Sequence, residues 1–279
     1  MITKHTHKRE FVGDINLVIY WSEILALIAP HAPAVKTGRP AFAIEVMLRI
    51  HLHQQLFGHS DPAMEVALHD IPLYRQFVRL DAGITRLPNE TTILCFRHLR
   101  EAHGLGQQIL ATINAKLIAR GLMLNTGTVV DATLIATPSS TKKGNQWRFG
   151  MKAHVGVDVE SGLIHMVTTT ASNFHDVTQA QAPLHGQVEV VFADLGCRGA
   201  EKRDEVQARH IDVDWQIVLT PSKRKALDKT KVSQTLQDKL EKVKASIRTK
   251  VAHPFRVIKC QFEHRNTRYL GLAKKTTSC

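Results

Sequence analysis

The sequence has few cysteines and no long apolar run. Its four cysteines, Cys95, Cys197, Cys260 and Cys279, include no Cys-x-x-Cys pair, so neither a zinc knuckle nor a disulfide framework is indicated and reduced thiols are expected. No run of about 18 apolar residues occurs, which argues against a membrane-spanning helix. The N-terminal stretch MITKHTHKRE has no apolar signal-peptide region. We therefore expect a cytoplasmic protein with no membrane partner.

Acidic residues are scarce after residue 220. Residues 221–279 hold 16 Lys and Arg against 4 Asp and Glu, whereas residues 1–220 hold 21 of each kind, so the formal net charge of +12 comes entirely from the C-terminal segment. Such a segment is typical of a protein that binds a polyanion, usually nucleic acid. A basic face that is merely solvated is the alternative that charge alone leaves open.

Residues 1–125 carry apolar residues at helical spacing and are predicted to form an all-helical domain. Ser60 or Asp61 and Asn89 are suitable N-caps. The predicted helices cover 15–31, 39–58, 60–70, 88–104 and 105–121. Short helices with tight turns are compatible with a helix-turn-helix-like DNA-binding module. They are equally compatible with a helical bundle used for packing or dimerisation.

Beyond residue 125 the apolar pattern changes to that of strands. We predict strands over 127–136, 149–159, 162–172, 188–196 and 213–219, the second and third of them forming a hairpin. Helical patterns occur at 175–186, 199–210 and 233–251, and polar loops are predicted at 137–147 and 220–231. This order predicts an α/β domain over 126–279, α+β for the chain as a whole, with a mixed sheet flanked by helices.

Two aspartates lie at informative places in these strands. Asp131 interrupts the apolar strand TVVDATLI, where a carboxylate is costly unless a metal, a proton or a partner satisfies it. Asp194 ends the strand VVFAD, and ligands commonly bind at the carboxyl ends of strands. If the strands are neighbours, both carboxylates face one site, and two hard oxygen ligands suit Mg²⁺ or Mn²⁺ better than zinc. The alternatives are an Asp194 that caps a turn and an Asp131 that faces solvent on an edge strand.

Several stretches together resemble the bacterial insertion-sequence 5 family of transposases over nearly the whole chain. They are GRPAFAIEVMLRIH, SDPAMEVALHD, ETTILCFRHL, VDATLIATPSSTK, KGNQWRFGMKAHVGVD, HDVTQA, VFADLGCRG, HPFRVIKCQF and RYLGLAKK. The resemblance implies a ribonuclease-H-like catalytic domain with a triad of two Asp and one Glu that binds two Mg²⁺ or Mn²⁺ ions. It also implies a helical domain that helps bind terminal inverted repeats, a homo-oligomer on double-stranded DNA, and a nucleoid-associated protein in a bacterial cytoplasm.

Asp131 matches the first acid of the family and Asp194 the second. The third acid belongs to the family pattern Tyr-x2-Arg-x3-Glu-x6-Lys, in which Arg248 and Lys259 keep their places. Ala252 therefore stands at the position of the catalytic glutamate. The resemblance places Arg248, Arg256 and Lys259 at DNA, as phosphate-binding candidates. The tyrosine position holds Ala245, and the loop over 138–147 looks shorter than in the family.

An alanine cannot bind a cation, so we predict a chain that binds DNA but is catalytically impaired. Glu241 and Glu263, eleven residues to either side of Ala252, are not expected to substitute for the missing acid. His175 and Asp176 are predicted to cap the next helix. Trp147 is predicted either to stack on a base or to anchor its loop.

Three functions remain open at this point. One is a DDE transposase that cuts element ends and joins them to target DNA. Another is a catalytically silent DNA-binding protein that occupies element ends or inhibits oligomers of an active transposase. A nuclease of the same fold is the third. The first two both predict binding to inverted-repeat DNA with a steep dependence on salt.

Overall fold

The computed structural model describes most of the chain and divides it into two compact units. The described residues are 6–32, 39–80, 86–123, 126–136, 142–143, 146–147, 150–182, 184, 188–208, 213–228, 230–262 and 264–266. The units are Met1–Ile113 and Asn114–Cys279. This division falls before the domain boundary at residue 125 that the sequence pattern predicts. Most of the predicted loop at 138–147, together with Glu263, lies outside the described residues.

The first unit is helical. Its helices are α1 (His7–Val18), α2 (Trp21–Ile28), α3 (Ile44–Phe57), α4 (Asp61–Asp70), α5 (Pro72–Phe77), α6 (Glu90–Ala102) and the greater part of α7 (Leu105–Ala119). Ser60 caps α4 and Asn89 caps α6 through side-chain oxygens that accept backbone N–H groups, as predicted. The α3 helix ends at Gly58, whose φ of 73° is left-handed and suits a residue without a Cβ.

The single helix predicted over 15–31 is wrong, because two helices occupy this stretch. The first begins earlier, at His7, where the Thr6 side chain accepts the Arg9 N–H. Ile19 is extended, and the indole N–H of Trp21 donates to the Asn16 carbonyl across the break. Apolar residues continue on both sides of this break, so periodicity alone does not reveal it. Among the described residues no single helix is long and apolar enough to cross a membrane; only the pair His7–Val18 and Trp21–His31, bent by 69°, reaches that length and composition.

Two histidines of α3 belong to the interior of this helical unit. His51 is buried against the guanidinium of Arg100, and His53 packs among Phe57, Tyr74 and other rings. Burial lowers the pKa of His53 to about 3 and lowers that of His51 well below its usual range. Both rings are therefore neutral packing groups at physiological pH.

A five-stranded mixed sheet organises the second unit. Its strands are β1 (Gly127–Ala136), β4 (Gly150–Asp158), β5 (Ile164–Ala171), β6 (Val190–Ala193) and β7 (Asp214–Ile217). The spatial order is β5-β4-β1-β6-β7, antiparallel across β5, β4 and β1 and parallel across β1, β6 and β7. A separate ribbon pairs β2 (Lys142–Lys143) with β3 (Gln146–Trp147), within the stretch 137–147 that the sequence pattern predicts to be a loop. The predicted strands and the predicted mixed sheet flanked by helices are confirmed.

The helices of this unit are α8 (Asp176–Gln179), α9 (Asp204–Gln207), α10 (Pro221–Lys225) and α11 (Val232–Arg256). The helix predicted over 175–186 is reduced to the four-residue α8, and the helix predicted over 199–210 is reduced to a 3₁₀ turn and the short α9. The loop predicted over 220–231 contains α10, which has a local cause: Pro221 starts this helix and the Thr220 side chain caps it, accepting the Lys223 N–H.

The two faces of the central strand pack against different layers. Val129 points to the side covered by α11, where it joins Val155, Val157 and Val251. Val130 points to the opposite side, into a cluster with Val191, Ala193 and Cys197 among others. Because side chains alternate along a strand, Asp131 lies on the same face as Val129. The sheet therefore directs this aspartate toward α11.

Candidate active site

The parallel pairing of β1 with β6 brings the two predicted acids together. Val130 lies opposite Ala193 in this pairing, so the next residue on each strand is Asp131 and Asp194. Asp131 continues in β1, paired with Val155 on its other side, whereas Asp194 leaves β6 and caps a 3₁₀ turn. The two carboxylates thus lie side by side, with Asp131 inside β1 and Asp194 directly after the end of β6.

Each of these carboxylates has one oxygen held by a backbone amide. Oδ1 of Asp131 accepts the Ala132 N–H at 2.8 Å, and Oδ1 of Asp194 accepts the Gly196 N–H at 2.7 Å. The cap predicted as an alternative for Asp194 is therefore present, but it uses only one of the two oxygens. Oδ2 of each residue is directed toward a common neighbour, Arg248.

Arg248 extends from α11 to both acids. One of its terminal nitrogens lies 3.8 Å from Oδ2 of Asp131 and 3.9 Å from Oδ2 of Asp194. These distances are those of loose ion pairs, longer than hydrogen bonds. Nε of Arg248 is buried and has no hydrogen-bond partner within the part of the chain that the structure describes. Among the described residues, the guanidinium is therefore positioned by these loose ion pairs, while its Nε makes no hydrogen bond.

Helical spacing places Ala252 on the same face of α11 as Arg248. The two residues are four apart, one turn along the helix. Val251, next to Ala252, is buried against the sheet and sets the rotation of the helix, while Ala252 itself is exposed. A longer side chain at 252 would have open space and a starting point one turn from Arg248. Ala245, at the tyrosine position of the sequence pattern, is exposed as well.

A third carboxylate, which the sequence pattern did not assign to this site, approaches from the loop after β5. Asp176 occupies the first turn of α8, and its Oδ1 accepts a hydrogen bond from Lys152 at 3.0 Å. His175 occupies the N-cap position, as predicted, but no side-chain hydrogen bond caps this helix, so the cap predicted for the Asp176 side chain is wrong. A Cβ added to Gly196 would lie 3.0 Å from Oδ2 of Asp176 and 3.0 Å from Oδ1 of Asp194. The two acids therefore flank this glycine.

Burial and mutual repulsion affect the protonation of this cluster. The pKa of Asp131 is raised, chiefly because the carboxyl group is partly buried, and the charges of Asp194 and Asp176 raise it further. The Ala132 amide and Arg248 act in the opposite direction. Burial, followed by the same three acids, raises the pKa of Cys197 to about 12. That thiol is therefore protonated at neutral pH, which makes it a poor nucleophile.

The other residues singled out by the sequence lie farther along α11 or beyond it. Glu241 is buried, accepts the Leu219 N–H at 2.7 Å and pairs with Lys244 at 3.1 Å. Its carboxylate is thus occupied in holding α11 to the chain after β7. Arg256 is exposed at the end of α11, and Lys259 is half-buried in the π-helical turn Val257–Gln261, where burial lowers its pKa.

The acid pair offers the kind of ligand that a divalent cation binds, but it offers too few carboxylates. Oδ2 of Asp131 and Oδ2 of Asp194 are hard oxygen ligands of the type that Mg²⁺ and Mn²⁺ prefer. Within the described ranges, no group of three or more His, Cys, Asp or Glu side chains is arranged to hold a metal ion. The position at which the sequence pattern expects the third acid is Ala252.

Two family models match the chain. The model described as the transposase DDE domain matches residues 123–278, more than half of the chain, and includes the sheet, both acids and α11. The model described as a transposase domain, DUF772, matches residues 1–99 and includes α1 to α5 and most of α6. No solved structure matches the chain.

Proposed function

Since the chain belongs to the transposase DDE domain family, whose function is DNA transposition, we propose that its second unit is the strand-transfer domain and that Asp131 and Asp194 are its catalytic acids. Membership of the insertion-sequence 5 branch stays a prediction. The observation that carries the assignment is the side-by-side placement of the two acids across the β1–β6 pairing. The helical region that matches the second transposase domain is proposed to bind the terminal inverted repeats.

The reaction proposed is cleavage of DNA at the element ends, followed by joining of the freed 3′ hydroxyl to target DNA. A divalent cation bound between the acids would lower the pKa of the attacking water and stabilise the leaving oxygen. Asp131 and Asp194 would hold that ion through the Oδ2 atoms that face Arg248. Their Oδ1 atoms stay with the Ala132 and Gly196 amides, which keeps both carboxylates oriented.

Arg248 is proposed to alternate between the acids and the DNA backbone. It lies within 4 Å of both carboxylates, yet its Nε has no hydrogen-bond partner among the described residues. A phosphate beside the acids offers this guanidinium the bidentate contacts that it lacks here. Arg256 and Lys259 are proposed to extend the phosphate-binding surface along the C-terminal end of α11.

Ala252 is proposed to leave this chain catalytically impaired. A glutamate on this face of α11, one turn beyond Arg248, would add a third carboxylate to the site, whereas alanine adds none. If the missing ligand removes about 4 kcal/mol of transition-state stabilisation, the rate of cleavage falls roughly a thousandfold. The variant Ala252→Glu therefore restores the ligand at the position where the family pattern has it.

The test compares wild type, Ala252→Glu and the double variant Asp194→Asn/Ala252→Glu in cleavage and joining of DNA that carries the element ends, with Mg²⁺. We expect strong cleavage only from Ala252→Glu, because wild type lacks the third acid and the double variant lacks one acid of the original pair. Cleavage without joining by Ala252→Glu would favour a nuclease instead. Cleavage by the double variant as strong as that by Ala252→Glu would refute the assignment of the acid pair.

A catalytically silent DNA-binding protein is the second candidate, and one observation favours it. Arg248 compensates the charge of both acids in the chain as it stands, and Ala252 contributes no carboxylate. Such a protein would occupy element ends or enter oligomers of an active transposase without cutting DNA. It binds end DNA with the same steep salt dependence. Inhibition of an active relative by the wild-type chain, with no cleavage of its own, is the result that selects this candidate.

A further inference from the structure

We propose that Asp176 is a third carboxylate of the cation site and supports divalent-ion binding in a chain whose Ala252 cannot. The inference rests on the proposed function, because it assumes that Asp131 and Asp194 hold the ion. Asp176 is proposed as a positioning residue: it accepts hydrogen bonds from the water molecules around the ion and does not bind the ion directly.

Asp176 and Asp194 lie close together on either side of Gly196. Oδ2 of Asp176 and Oδ1 of Asp194 each lie 3.0 Å from the point that a Cβ of Gly196 would occupy, so the two oxygens cannot be more than about 6 Å apart. Two carboxylates held this close repel each other unless a cation or a bridging proton lies near them. The absence of a side chain at Gly196 is what permits this approach.

Lys152 holds Asp176 in place while occupying only one of its oxygens. The ammonium of Lys152 donates to Oδ1 of Asp176 at 3.0 Å and to the Phe174 carbonyl at 2.7 Å. His154 approaches the same Oδ1, at 4.0 Å. Both cationic or potentially cationic neighbours thus lie on the Oδ1 side, and Oδ2 is the oxygen directed toward Gly196 and Asp194.

Direct coordination by all three acids is not what this arrangement indicates. In the described part of the chain no three such side chains converge tightly enough to hold an ion between them. Mg²⁺, however, is commonly bound by one or two carboxylates and keeps several water molecules. Oδ2 of Asp176 lies within about 6 Å of Oδ1 of Asp194, and the other oxygen of that carboxylate is the one proposed for the ion, so a water molecule on the ion can reach Asp176 by a hydrogen bond.

The experiment measures Mn²⁺ binding to the full chain without DNA, by the loss of the free-ion electron paramagnetic resonance signal. Asp176→Asn keeps an oxygen for Lys152 and removes only the charge, so we expect affinity to fall about tenfold, as for other outer ligands. Asp204→Asn is the matched control, because Asp204 also lies in the first turn of a short helix but is exposed and has no contact with the acid pair. We expect this control to bind Mn²⁺ like wild type.

A double-mutant comparison separates a role at the ion from a structural role. If Asp176 supports the cation because residue 252 is alanine, Ala252→Glu should raise Mn²⁺ affinity and reduce the loss caused by Asp176→Asn. If Asp176 only anchors Lys152, the loss is the same in both backgrounds. Asp176→Glu, which keeps the charge, provides a further variant, and thermal unfolding without metal shows whether each protein is folded.

The outcomes distinguish this inference from the function on which it rests. The inference is supported if Asp131→Asn and Asp176→Asn each weaken Mn²⁺ binding. Adding Ala252→Glu to Asp176→Asn should then restore the affinity. Weakening by Asp131→Asn alone overturns the role of Asp176 and leaves the proposed function standing. Mn²⁺ binding that is unchanged in Asp131→Asn overturns both.

Discussion

Replacing Arg248 by glutamine should tighten the binding of a divalent cation. Its guanidinium lies 3.8 and 3.9 Å from the acid oxygens that the ion would use, so guanidinium and ion compete for the same charge. At about 4 Å a pair of unit charges interacts by about 1 kcal/mol in water and about 4 kcal/mol at an effective dielectric constant of 20. The acids are partly exposed, so the lower figure is appropriate; two pairs give about 2 kcal/mol, or roughly thirtyfold tighter binding.

Mn²⁺ titration of the folded chain measures this effect. Arg224→Gln is the matched control, because Arg224 forms an ion pair with Asp238 of α11 at 2.8 Å in the same unit but has no contact with the acid pair. The same Arg248→Gln protein should bind end DNA more weakly than wild type, since the proposed phosphate contact is lost. If Arg248→Gln binds Mn²⁺ no more tightly than Arg224→Gln, the competition between guanidinium and ion is refuted.

Three further predictions concern the surface, the acid pair and its glycine. Arg256→Gln should weaken DNA binding at low salt and reduce the slope of log affinity against log salt by about 1, and an unchanged slope would exclude a phosphate contact. The pKa of Asp131 is raised in the folded chain, so the protonated carboxyl stabilises the fold in acid and this stabilisation is lost as pH rises above 3.8. Asp131→Asn should therefore have a higher melting temperature than wild type at pH 7, and the difference should disappear in acid. A lower melting temperature than wild type at pH 7 would contradict the raised pKa. Gly196→Ala should weaken Mn²⁺ binding, because its Cβ would press on Asp176 and Asp194, and unaltered affinity would argue against that crowding.

The central strand of the sheet was predictable because its signals agree with one another. Residues 127–136 are rich in β-branched residues and bounded by turn residues, and β1 has these limits. The expectation that Asp131 and Asp194 share a site depended on their strands being neighbours. The structure pairs those strands in parallel and brings the two residues side by side.

The environment of the acids was less accessible to sequence reasoning. Helical spacing places Arg248 and Ala252 on one face of α11, but only the packing of Val251 against the sheet shows that this face meets the acid pair. Arg248 was accordingly assigned to phosphates, whereas it also lies near both carboxylates. A helix-capping pattern suggested a local role for Asp176, and its approach to Asp194 depends on the chain folding across Gly196.

Short elements were the least predictable part of the fold. Residues 199–210 have a helical composition, yet they form a 3₁₀ turn and a helix of four residues. Such brief segments gain little from helix propagation, so tertiary contacts decide their conformation. The capping signal of Thr220 before Pro221 was present in the sequence and would have indicated α10 within the predicted loop.

The central claim is that Ala252 separates this chain from an active DDE transposase. Single-turnover cleavage of element-end DNA with Mg²⁺, by wild type and by Ala252→Glu, tests it most directly. A missing carboxylate worth about 4 kcal/mol predicts cleavage by Ala252→Glu that is roughly a thousandfold faster. Cleavage by wild type at the rate of Ala252→Glu would contradict the claim.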